Sequence, residues 1–432
     1  MKKICIIGLG YIGLPTAGML ATNGYIVAGF DINTEAVNTI NEGRIHIEEP
    51  GLEELVKIAV NSGKLKAYTQ PQQADVYIIA VPTPVRENKK ACMDYVEAAT
   101  NSILDLLKPG NLVILESTSP PATTTKLMVP LLERTGLKIG EELFVAYCPE
   151  KVLPGQIIRE LVENKRIVGG INQKSAQMAK EVYETFVKGE IILTDSTTAE
   201  MVKIMENTYR DVNIALANEL AKISYKLGIN AWEVVKFANL HPRVNLHSPG
   251  PGVGGHCISV DPWFIVEQNP ELAILISHAR EINDSMPAFT YNMVLEQVKE
   301  IANPKVSVLG LTYKPDIDDI RESPAIEIVK MLKNNPRINI SICDPHVKGF
   351  GENLVELELA LKDSDCILLV VNHKEFASMN PAEVSQLVKN KVIIDTRNSL
   401  NRTDWESEGF KYVLLGDGKT SHAHMLSHHV QQ

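Results

Sequence analysis

The chain has 432 residues, 44% hydrophobic and 22% charged, with a formal net charge of -10 at pH 7. That length suits two or three domains, and the composition is that of an ordinary globular protein rather than a low-complexity chain. The acidic balance argues against a nucleic-acid partner, and the lack of any run of about 18 apolar residues argues against membrane insertion.

The chain opens Met1-Lys2-Lys3-Ile4 and enters an apolar run with no small-residue cleavage site, so no signal peptide is expected. Short apolar runs at Lys3–Ile7, Ile26–Phe30, Val76–Val81, Leu112–Leu115 and Leu143–Ala146 alternate with helix-like stretches. This alternation predicts a parallel sheet with helices on both faces over residues 1–196. From Thr197 the pattern changes. Met201, Ile204, Met205, Val212, Leu216, Leu220 and Ile223 recur at three- and four-residue steps, which predicts one long helix to about Leu227 with Gly228 closing it. More helix is expected to about Ile301, broken by the Pro- and Gly-rich stretch Ser248–Gly255. A helical middle over 197–303 is a natural subunit contact, so a homodimer or higher homo-oligomer is expected. Strand–helix alternation returns over 304–432, with four parallel strands expected at Val306–Gly310, Ile338–Cys343, Cys366–Val371 and Lys391–Asp395. The fold class is α/β: two Rossmann-like doubly wound domains joined by a long central helix and a helical middle domain.

Six cysteines occur without a CxxC pair or zinc-ligand spacing, so no metal is expected. Cys5, Cys343 and Cys366 lie in apolar runs, where a free thiol acts as a small hydrophobe. This use of cysteine fits a reducing, cytoplasmic setting.

Three stretches carry chemistry. Gly8-Leu9-Gly10-Tyr11-Ile12-Gly13 follows the first strand and opens a helix. The first glycine permits a tight turn, the second lets the backbone of Gly10, Tyr11 and Ile12 approach a pyrophosphate, and the third allows close packing. Asp31 ends the second strand, 21 positions after Gly10, where it can accept from a ribose 2′-hydroxyl and repel a 2′-phosphate. The cofactor expected is therefore NAD rather than NADP. Thr83, Glu116 and Thr118 follow later strands, in loops that line a cofactor cleft or simply form polar turns. The second stretch is Pro249–Trp263, where four glycines precede Cys257 within eight residues. The loop keeps this thiol out of a regular core element, with His256 and Asp261 as polar neighbours. It suits a nucleophile or a structural cysteine equally. Third, Lys203 and Asn207 share one face of the long helix, continued by Arg210. They form either a solvated face or a cation and an amide beside a reacting oxygen. Glu150 follows a strand and is a candidate general base.

In combination, GLGYIGLP, VPTP, ESTSPP, YCPEKVLPG, AEMVKIMENTYRDVNIALANEL, PGVGGHC and YKPDIDDIRESP resemble the UDP-glucose/GDP-mannose dehydrogenase family, over essentially the whole chain. Gly254–Phe264 is similar to the branch that oxidises UDP-N-acetylhexosamines, with Val260 where UDP-glucose enzymes carry Lys. His241–Asn245 is similar to the N-acetylmannosamine members, and Lys151 stands where that branch usually has Arg. The resemblance implies two NAD-dependent oxidations of one primary alcohol, by way of a thiohemiacetal and a thioester on Cys257. It implies that Lys203 stabilises an oxyanion, Asn207 orients water or the substrate oxygen, Asp261 supports the thiol or Lys203, and Glu150 is the base in hydrolysis. Arg243, Gly254 and Lys314 would reach the sugar nucleotide, and Arg321 a phosphate of cofactor or UDP. UDP-N-acetylmannosamine is the substrate implied first and UDP-N-acetylglucosamine second. Two further readings stay open. One is a single-hydride β-hydroxyacid-type dehydrogenase, which needs no cysteine. The other is a non-catalytic nucleotide-binding protein, against which the joint presence of Cys257, Lys203, Asn207 and Asp261 argues.

Overall fold

A computed structural model describes residues 2–86, 88–351 and 354–419. The chain packs as two compact units. The first comprises Met1–Glu206 with Trp263–Asn269, the second Asn207–Pro262 with the remainder from Pro270. The helical middle read over 197–303 is therefore shared between them.

The first unit holds an eight-stranded sheet. Its strands are β1 (Lys3–Ile7), β2 (Ile26–Phe30), β3 (Leu65–Tyr68), β4 (Val76–Ile79), β5 (Leu112–Leu115), β6 (Phe144–Tyr147), β7 (Arg166–Gly170) and β8 (Ile191–Asp195), in the order β3-β2-β1-β4-β5-β6-β7-β8. All pairs are parallel except β6 with β7, which is antiparallel, so the expectation of a purely parallel sheet needs that correction. A four-residue stretch of β1 shows how the sheet is buried. Ile4 and Ile6 join one core, while Cys5 and Ile7 join the other. With both faces covered, the strands read as continuous apolar runs without alternation. The order in which strands are added reverses between the parallel neighbours β1 and β4. The crevice at their carboxyl ends is where such sheets bind ligands.

The second unit holds a five-stranded parallel sheet of β9 (Lys305–Leu309), β10 (Asn339–Cys343), β11 (Cys366–Leu369), β12 (Val392–Asp395) and β13 (Lys411–Leu414), ordered β10-β9-β11-β12-β13. Four strands were expected, and the fifth is β13. Its alternation is interrupted by Lys411, yet Tyr412, Val413 and Leu414 are buried against β12. The long helix spans Ser196–Leu227, and Gly228 follows it in the left-handed region at φ 71°. The expected later helix is four pieces: Ala231–Ala238, Asp261–Gln268, Ile274–Asp284 and Met286–Val298. No helix among the described residues is long and apolar enough to cross a membrane.

Candidate active site

The turn from Gly8 to Gly13 sits at the β1/β4 reversal. Gly8 has φ 93°, and a Cβ on it would come 2.6 Å from the Ala80 carbonyl oxygen. A Cβ on Gly13 would lie 1.8 Å from the Gly8 carbonyl oxygen. These two glycines are required by the chain itself. Gly10 differs, because a Cβ there would meet nothing within 4 Å. The protein leaves open space where the fingerprint brings a pyrophosphate against the backbone. No side chain caps the helix Gly13–Thr22, and no acid stands in its first turn. The positive end of its dipole is thus left for an anionic ligand. The Asp31 carboxylate accepts from the Leu9 amide through Oδ2 and from the Asn33 amide through Oδ1, both at 2.9 Å. It braces the turn and stands at the end of β2, where a ribose hydroxyl would be met. Tyr11 is exposed and Ile12 half-buried. The Thr83 hydroxyl donates to the Thr118 carbonyl oxygen at 2.6 Å, and that of Ser117 to Val81 at 2.7 Å. The loops after β4 and β5 are thereby joined along the same crevice. These features fit a dinucleotide.

Glu116 does not line that crevice. It is 2% exposed, and its Oε1 accepts from the Tyr183 hydroxyl at 2.7 Å. Burial, helped by the Glu150 charge and opposed by Arg166, pushes its pKa up to about 7. Glu150 is also buried. Its Oε2 accepts from Arg166 Nη2 at 2.7 Å and its Oε1 from the Lys151 amide at 2.7 Å. The Lys151 ammonium pairs with Glu206 on the long helix, so a lysine is long enough to anchor this loop. Six residues toward the N-terminus of that helix, Glu200 is fully buried and accepts from the amides of Ala122 and Thr124 and from the Thr124 hydroxyl. Burial pushes its pKa up to about 7 against the pull of those donors. Lys203 is half-buried and Arg210 exposed.

In the second unit, Cys257 is the exposed cysteine among the six. Its loop is fixed from both ends. The Gly250 amide donates to Asn218 Oδ1 at 2.9 Å, Asn218 donates to Asn283, and Asn283 to Asp211, whose partner is the buried Arg280. Further along, the Gly255 amide donates to the Arg321 carbonyl oxygen, and the His256 ring lies 3.1 Å from Asp319. A Cβ on Gly254 would sit 2.6 Å from the Glu322 carbonyl oxygen and 2.7 Å from Tyr313 Cβ, so only glycine fits there. After the thiol, the amides of Val260 and Asp261 donate to the Cys257 carbonyl oxygen and start the helix Asp261–Gln268. Asp261 is buried, and its Oδ2 accepts from the Asn207 side-chain amide at 2.6 Å. Two candidates 54 positions apart therefore meet.

Arg321 forms a bidentate pair with Asp319, at 2.9 and 2.7 Å. Lys314 is exposed, and Arg243 is exposed with only its backbone amide engaged, by His241. Asp316, His346, His373 and Glu375 have the spacing of a metal centre, with ligand atoms within 4.8 Å of one another. Both His373 nitrogens are already engaged, Nδ1 by the Asp316 amide and Nε2 by Asp344. Lys374 covers Asp316. The group reads as a hydrogen-bonded scaffold for the loop after β9.

Sequence reasoning passed over three groups. Arg166 is one, though a cation opening the apolar run Arg166–Gly170 was a signal. Asn218 looked like any polar helix position. Arg397, just past β12, has its guanidinium against Gly250, and desolvation lowers its pKa to about 10. Its Nε donates to the Val370 carbonyl oxygen at 2.9 Å.

Comparison with known proteins places these features in context. Residues 2–187 match the NAD binding domain of the UDP-glucose/GDP-mannose dehydrogenase family, 197–285 its central domain and 307–402 its UDP binding domain. A UDP-N-acetyl-D-mannosamine dehydrogenase from Methanococcus aeolicus is 51% identical over 97% of this chain and 96% of that protein. An NDP-N-acetyl-D-galactosaminuronic acid dehydrogenase from Ralstonia nicotianae is 48% identical, covering 92% of this chain and 96% of its own. Among solved structures, the UDP-D-ManNAc dehydrogenase of Pyrococcus horikoshii aligns with a TM-score of 0.89 at 42% identity, over 96% of this chain and all of that one.

Proposed function

The chain belongs to the UDP-glucose/GDP-mannose dehydrogenase family, and from that premise we propose that it oxidises the 6-hydroxymethyl group of UDP-N-acetyl-D-mannosamine to a carboxylate in the cytoplasm. The observation that carries the chemistry is Cys257, an exposed thiol on a loop that hydrogen bonds fix at both ends. The sugar is taken from the relative at 51% identity.

NAD, when bound at the Gly8–Gly13 turn, accepts a hydride at each of two oxidations per sugar. The first oxidation leaves an aldehyde, and the Cys257 thiolate adds to it as a thiohemiacetal. The second leaves a thioester on Cys257. Water attacks that carbon, the sulfur departs as thiolate, and the carboxylate remains. Lys203 balances the oxyanion of each tetrahedral state. Asn207 orients water or the substrate oxygen, and Asp261, held by Asn207, supports the thiol or Lys203. Glu150 takes the proton of the attacking water. Gly10, Tyr11, Ile12, Asp31, Thr83, Thr118 and Arg321 hold the cofactor. Arg243, Gly254 and Lys314 hold the sugar nucleotide, as do Glu150, Lys203 and Asn207. A homodimer is the assembly, supported by an apolar stripe on the long helix in which Tyr209, Leu216 and Ile223 are exposed at seven-residue intervals.

An NADH-release assay across UDP-N-acetylmannosamine, UDP-N-acetylglucosamine, UDP-glucose and GDP-mannose tests the reading. Two NADH per UDP-N-acetylmannosamine are expected, and one per sugar would end the four-electron route. Fastest turnover of UDP-N-acetylglucosamine would move the assignment to that epimer. Cys257→Ser is expected to abolish uronate formation while sugar-nucleotide binding survives. Uronate produced by that variant at the wild-type rate would rule out the covalent path.

A further inference from the structure

The reaction above uses Glu150 and leaves the buried groups around it without a task. Arg166 opens β7 with its side chain 4% exposed, beside Glu150 at 7%. One guanidinium nitrogen reaches Glu150 and the other lies 3.7 Å from Cys148 Sγ. The guanidinium stacks on the rings of Tyr183 and Phe186, at 4.8 and 5.6 Å to their centroids. Glu116, Tyr183 and Cys148 complete the enclosure, and the charges of Glu150 and Glu116 both act on Arg166.

One cation thus serves two buried carboxyl groups. Two buried carboxylates and one guanidinium are hard to keep all charged, since an unbalanced buried charge costs several kcal/mol. The hydrogen bonds decide which acid gives way. Glu150 holds the direct ion pair and a backbone amide. Among the described residues Glu116 holds no direct ion pair; it is served by the hydroxyls of Tyr183 and Thr16. Burial pushes the Cys148 thiol up to about 12, so it adds no charge.

We propose that Arg166 is a positioning residue: its buried guanidinium holds the Glu150 carboxylate in place and aims it for its part in hydrolysis. The inference rests on the role given to Glu150 above. Burial by itself would lower the Arg166 pKa, but the acidic groups around it, Glu150 foremost, together outweigh it and the guanidinium stays charged.

The experiment compares Arg166→Ala, Arg166→Lys and Glu150→Gln for the pH dependence of uronate formation, with NAD binding as the check on folding. Arg166→Ala is expected to lower kcat by about 10-fold or more, the scale of a displaced acid–base group. Without the cation the carboxylate is harder to ionise, so the acid limb of kcat should move up by about one pH unit or more. KM for NAD should stay within about twofold, since the change leaves the dinucleotide turn untouched. Arg166→Lys keeps the charge and should restore most of the limb. Added guanidinium should recover turnover in Arg166→Ala and none in Glu150→Gln. A wild-type limb in the Arg166 variants, with Glu150→Gln impaired, overturns the positioning role alone. Wild-type turnover in Glu150→Gln overturns the base role of Glu150 and this inference with it. If Arg166→Ala does not fold, Arg166→Gln takes its place, and an unmoved limb in that variant overturns the positioning role.

Discussion

Gly10 separates two reasons for a glycine. Gly8 and Gly13 face backbone at 2.6 and 1.8 Å, so alanine at either distorts the chain with no ligand present. Alanine at Gly10 meets open space. We therefore expect Gly10→Ala to keep a thermal midpoint within about 2 °C of wild type, as changes away from packed features do. Its NAD affinity should fall by about 10-fold or more, because the methyl group occupies the place of the pyrophosphate. Calorimetry and cofactor titration read the two separately, and a loss of fold without loss of affinity would refute the argument. All three glycines were visible in the sequence. Their division into two of structural need and one of ligand need was not, because the Ala80 carbonyl oxygen that Gly8 faces comes from just past β4, about 70 positions away, and only the folded turn brings Gly13 against Gly8.

At the scale of the element, two buried acids brace the loops that leave β5. Glu116 at the end of β5 and Glu200 on the long helix both have their pKa pushed up to about 7, chiefly by burial. Each group binds its proton more tightly folded than unfolded, where the value is 4.5. Their contribution is thus fully present below about pH 4.5 and lost as pH rises through about 7. Glu116→Gln and Glu200→Gln keep the shape of the protonated acid. Thermal midpoints measured from pH 5 to 8 should fall less steeply in either variant, and least in the double variant. Identical slopes in wild type and variants would mean that both acids are already ionised when folded. Nothing in the local sequence distinguishes Glu200 from its neighbour Glu206, which is exposed and pairs with Lys151. Only the packing of the long helix against residues 122–124 makes one a buried anchor and the other a surface partner.

For the whole molecule, the exposed stripe of Tyr209, Leu216 and Ile223 is the feature a second copy would cover. Seven-residue spacing keeps three apolar side chains on one face of a helix, and Leu227 extends the same exposed surface. Leu216→Lys should shift the assembly toward monomer by light scattering, since a buried lysine opposes association. A variant that remains dimeric would place the subunit contact elsewhere. The periodicity that predicted the long helix was legible, but it did not say which apolar positions face inward. Leu216 and Ile223 were counted toward the helix period alongside Ile204, which is fully buried.

The sequence by itself determined the two-sheet α/β plan, the dinucleotide turn, the family and the thiol on a glycine-rich loop. These rest on local periodicity and on short motifs whose chemistry acts within a few residues. Tertiary structure alone decided the antiparallel β6–β7 pair, the fifth strand of the second sheet and the Asn207–Asp261 bond across 54 positions. It also decided that Glu116 turns into the core while Arg166 comes to Glu150. Burial and ion pairing depend on which distant strands become neighbours, and a carboxyl's charge follows from that enclosure rather than from the residues beside it in the chain.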